Sequence, residues 1–72
     1  MDPIEFAIAH LQQVLNSIKV RQVMLTTDKN AAIQSEDYSN AAAYQNMRTG
    51  TVMIETLVRD QIRGLKVAQG VK

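Results

Sequence analysis

The chain has no cysteine, no tryptophan, one proline, three glycines and one histidine among its 72 residues. Without cysteine, neither a disulfide framework nor a thiolate metal site is available. The lone histidine, His10, cannot assemble a metal cluster by itself. An excess of charge is missing too: eight basic and seven acidic side chains leave a net charge of +1. That balance points neither to nucleic acid nor to an anionic membrane surface. The longest uncharged run, FAIAHLQQVLNSI, is short and contains His, Gln and Asn, so it cannot span a bilayer. The opening MDPIEF is acidic where a secretory signal is basic, so a cytoplasmic location is expected, with export without a cleaved signal still open.

Motifs of catalysis are missing as well. The chain contains no glycine-rich phosphate loop, no HExxH and no histidine with an acid three or four residues away. Ser17, Ser35 and Ser39 have no base within helical reach. The adjacent acids Glu36 and Asp37 suit a solvated helix cap better than a catalytic pair. No enzyme activity, cofactor or metal is expected. A domain this small buries about 60% of its unfolded surface, and its core rarely supplies more than about 3–5 kcal/mol. With disulfides and metals excluded, added stability must come from association.

What the sequence does contain is helix. Asp2 can cap a first turn, Pro3 loses nothing at the first helical position, and Glu5 completes a capping box. Ile4, Ile8, Leu11, Leu15, Ile18, Gln22, Leu25, Lys29 and Ala32 then recur at steps of three and four, making one stripe down a helix. No proline or glycine interrupts residues 4 to 49. The spacing predicts helix over about residues 3–33, a turn at about 34–37 capped by Ser35 or Asp37, and a second helix over about 38–68. On the second helix Ala43, Met47, Gly50, Ile54, Leu57, Gln61, Gly64, Ala68 and Val71 form the expected seam, widened by Tyr44, Thr51, Val58, Ile62 and Leu65. Residues 1–72 thus form a single all-α domain, an antiparallel hairpin of two long helices.

Pairing residues whose numbers add to about 72 sets Leu15 against Leu57, Ile18 against Ile54 and Leu25 against Met47. Gln22 then falls opposite Gly50 and Thr51, a polar layer able to fix register, and Asp2 and Glu5 fall near Arg63 and Lys66. Gly50 is expected where a neighbouring helix comes close, Gly64 at a fraying end, and VAQGVK as a loose tail.

Two helices packed only on each other leave apolar residues over. Val20, Val23, Met24, Val52, Met53 and Val58 are expected to form an exposed belt at mid-length, of a kind soluble monomers seldom tolerate. Methionine suits such a surface because it adapts to a partner's shape. The expected outcome is self-association, a homodimeric four-helix bundle, with docking onto another protein's helices also open. Arg59, Arg63 and Lys66 follow i, i+4, i+7 and form a ridge of possible phosphate contacts. Without interleaved aromatics they favour the simpler reading, a complement to the helix dipole.

The central stretch DKNAAIQSEDYSNAAAYQN, residues 28–46, resembles the UVR motif, a short helical hairpin of bacterial nucleotide-excision-repair proteins and of the middle domain of Clp-type ATPases. Ala32, Asp37, Tyr38, Ala41 and Ala42 stand at the motif's places, and Gln45-Asn46 stand where the family has Arg-Asp. The resemblance implies an aromatic packed across the turn, alanines that let the helices approach, and a non-catalytic docking element centred on Glu36, Asp37 and Tyr38. In architecture the chain is also similar to needle subunits of bacterial type III secretion systems, whose turn usually carries the proline missing here. The expected function is therefore an adaptor or regulatory interaction module. The alternatives are a structural subunit of a filament or secretion apparatus and a small RNA-binding helical dimer.

Overall fold

A computed structural model describes residues 2–70. It contains two helices and, among the described residues, no strand: α1, Pro3–Gln34, and α2, Tyr38–Gly70. They pack against each other as an antiparallel hairpin, a rod whose Cα trace measures 56 × 17 × 11 Å.

Helix α1 starts where the sequence asks it to. The Asp2 carboxylate accepts from the Ile4 amide at 2.8 Å, and Pro3 occupies the first helical position. Serine and threonine are poor interior helix formers because their hydroxyls compete for backbone groups. Here Ser17, Thr26 and Thr27 donate instead to the carbonyls of Gln13, Gln22 and Val23, four residues back.

The reversal takes three residues. The Glu36 amide donates to the Ile33 carbonyl at 3.0 Å and the Asp37 amide to the Ala32 carbonyl at 2.8 Å. Together these bonds make a Schellman ending. Its geometry requires a left-handed residue at Glu36, whose φ is 61°. Glycine is the usual occupant because a Cβ is disfavoured there by roughly 1 kcal/mol or more. Asp37 then caps α2, accepting from the Asn40 amide at 3.3 Å and the Asn40 side chain at 2.6 Å.

The seam has two halves. Towards the open end Ile8, Val58 and Ile62 are buried together, with Ile4, Leu11, Val14, Leu15, Ile18 and Leu65 packed against them. Towards the turn the buried residues are Leu25, Ala32 and Ala41, and polar bonds cross between the helices. Gln22 donates to Glu55 at 2.8 Å and Lys29 to Gln45 at 2.9 Å.

This register corrects the pairing expected from the sequence. The polar layer of Gln22 lies at Glu55, about one turn further along α2 than Gly50 and Thr51. The row of Val58, Ile62 and Leu65 faces α1, while Met47, Ile54 and Leu57 lie exposed. The reason is polar satisfaction: in the expected register Lys29 would meet Ala43, whereas in the observed one Lys29 and Gln22 both find bonding partners. Glu5 accepts from Gln69 at 3.5 Å and Arg63 turns to Asp60 at 3.1 Å, so the expected pairing of Glu5 with Arg63 and Lys66 is not what holds the open end. A Cβ added at Gly50 or Gly64 meets nothing within 4 Å, so Gly50 serves no close helix approach within the hairpin. Residues 67–70 continue α2, while Val71, and Lys72 of the expected tail, lie outside the described residues.

Candidate interaction surface

The mid-length belt is built by residues that point away from the seam. On α1 these are Val20, Val23 and Met24; on α2 they are Val52 and Met53. All five are between 41% and 66% exposed. Val58 does not stand with them. It is 8% exposed and buried with Ile8 and Ile62 in the open-end core, because the register turns its row inward. In its place the structure adds Met47, Ile54 and Leu57, spaced so that they share one flank of α2, all exposed. Sequence reasoning put these three in the seam. The signal available was polar: Gln22 needs a partner, and Glu55 lies on the row of Val58 and Ile62.

The turn presents Glu36, Asp37 and Tyr38, all exposed. Asp37 is engaged as the α2 cap. Tyr38 is 64% exposed, so the aromatic does not pack across the turn; Ala32 and Ala41 provide the close approach there, and Ala42 faces solvent.

Arg59, Arg63 and Lys66 come together along one edge of an open cleft of about 580 Å³ between the helices. Gln12 and Leu15 of α1 form its other edge, and Ile62 and Val67 add apolar surface. Two of the cations are already held within their helix: Arg59 by Glu55 at 2.7 Å and Arg63 by Asp60 at 3.1 Å. Glu55 therefore receives both Gln22 from across the seam and Arg59 from its own helix. The Gln22 hydrogen bond, then that of Arg59, lower its carboxyl below the ordinary value of 4.5. Arg48 lies at the waist beside Gln22, Val23 and Thr26, its buried Nε without a hydrogen-bond acceptor among the described residues.

Among the described residues no group of three or more His, Cys, Asp or Glu is placed to hold a metal ion, and no helix is long and apolar enough to cross a membrane. No family model matches this chain, and no curated protein or solved structure matches it.

Proposed function

We propose that this chain is a non-catalytic protein–protein interaction module, adaptor or regulatory in kind, that completes its fold by pairing with a second copy into a four-helix bundle. It then offers its free helix faces and the Glu36–Tyr38 turn to another protein, as the resemblance to UVR hairpins implies. A cytoplasmic setting belongs to the same reading. The observation that carries it is the imbalance of apolar surface. Among the described residues six hydrophobic side chains are buried, while twelve large ones, from Phe6 to Val67, are exposed. Exposed apolar surface of that extent on so small a chain supports an interface.

Light scattering over a concentration series tests this. A dimer is expected, and replacing Val23 and Val52 with glutamate should return it to a monomer with its helix content intact. A wild-type monomer at high concentration would remove the basis of the reading.

A second reading, a filament or secretion-apparatus subunit, draws on apolar residues exposed at both ends of the rod: Phe6 and Val67 at one, Ile33 and Tyr38 at the other. It requires open-ended growth in the same experiment. An RNA-binding role draws on Arg59, Arg63 and Lys66. The intrahelical pairing of both arginines counts against it, and a salt-sensitive gel shift would promote it.

A further inference from the structure

We infer that two copies of this chain pair antiparallel about a twofold axis passing Val23 and Val52, each laying its acidic turn over the basic cleft of the other. The inference rests on the self-association proposed above and specifies its geometry.

The starting point is a difference between the ends. The turn end carries Glu36 and Asp37 beside the exposed Tyr38. The open-end half carries the cleft with Arg59, Arg63 and Lys66 above Leu15 and Ile62. Each surface is what the other lacks: acid with an aromatic against base with an apolar floor.

Position decides how two copies can match them. On α2, Tyr38, Gln45, Val52, Arg59 and Lys66 stand seven residues apart. A seven-residue step drifts only about 20° around a helix, so all five lie along one side. The row is symmetric about Val52. Reversing a second copy there sets Val52 against Val52, Gln45 against Arg59 and Tyr38 against Lys66, an ammonium over an aromatic face. Glu36 and Asp37 then fall opposite residues 68 and 67, beside Lys66.

Helix α1 gives the same midpoint independently. Gln12, on the cleft edge, and Gln34, at the turn, are each eleven residues from Val23. Eleven residues are close to three full turns, so Val23 shares the side of Gln12. Both helices thus place an exposed valine midway between cleft and turn. A parallel pair about the same valines would set Lys66 against Lys66 and Glu36 against Glu36. The valines carry the burial, and the charges choose the direction.

The absence of cysteine allows a direct test. Tyr38→Cys and Lys66→Cys proteins are oxidised separately and as a mixture. A disulfide-linked dimer is expected from the mixture, at least about tenfold more abundant than from either variant alone, a difference of about 1.4 kcal/mol or more in effective pairing. Glu36→Lys and Lys66→Glu should each weaken dimerisation about tenfold, with the double variant recovering most of the loss. Both sites are exposed and away from the core, and helix content by circular dichroism reports any unfolding. Cross-linking that is strongest within one variant, or charge reversals without effect in a protein that is dimeric by light scattering, would overturn the antiparallel arrangement and leave self-association standing. A chain that stays monomeric while an oligoglutamate peptide or an RNA oligonucleotide fills the cleft would overturn both.

Discussion

The two halves of this hairpin are held together by different means. Near the open end the helices meet through Ile8, Val58 and Ile62, with a sleeve of aliphatic neighbours and no polar side chain in the cluster. Near the turn they meet through one large buried residue, Leu25, and two alanines, with Gln22–Glu55 and Lys29–Gln45 bridging the seam. The apolar half supplies most of the burial. The turn half contributes to register, because Gln22 and Lys29 find partners across the seam in this alignment. The difference shows how a chain with so few buried residues still selects a single pairing.

The largest test of that division removes the one large side chain of the turn half. Leu25 is 2% exposed, and Leu25→Ala should cost about 2–5 kcal/mol. A domain this small holds only about 3–5 kcal/mol from its core, so thermal denaturation should find the variant largely unfolded. If it melts within a few degrees of the wild type, the turn half is not held by packing.

Glu36→Gly acts in the opposite direction. Glycine removes the left-handed strain at φ 61° and should add about 1 kcal/mol, raising Tm by about 4–8 °C. Gly50→Ala should add about 0.5–1 kcal/mol, since helix propensity improves and the new methyl meets no neighbour. Loss of stability there would mean that something approaches Gly50 in the assembled protein.

The smallest effect is in pH. The carboxyl of Glu55 is lowered in the folded chain, first by Gln22 and then by Arg59. A group depressed on folding stabilises above its ordinary value of 4.5, and that contribution disappears as pH falls below 4.5 and through the lowered folded value. Glu55→Gln should flatten the acid limb of the stability profile measured by urea denaturation; an unchanged limb would assign the acid dependence to other groups.

Much of the fold was legible in the sequence. The Asp2-Pro3 start, the α1 stripe and the want of proline or glycine between Pro3 and Gly50 suffice for two long helices and a short turn. The α2 seam was not legible, because two apolar rows run side by side on that helix. Periodicity weighs Met47, Ile54 and Leu57 above Val58 and Ile62. Only the need of Gln22 and Lys29 for partners across the seam chooses between them, and that is a tertiary condition. Val58 belongs by spacing both to the row that widens the seam and to the belt, and it is buried, whereas Val20, Val23, Met24, Val52 and Met53 are exposed. The turn hid its geometry because Glu36 stands where a glycine would have announced it. The cleft was legible only as a ridge of three cations; its opposite edge, Gln12 and Leu15, comes from the helix distant in sequence.

The open-end cluster also bears on how the hairpin closes in time. Ile8 and Ile62 pack together across 54 residues of sequence, so their contact closes a long loop. Neighbouring pairs beside the turn cost little to join but bring small return, being alanines and hydrogen bonds. A half-zipped chain therefore lies uphill from both ends of the reaction, and the arms should come together or apart in one step.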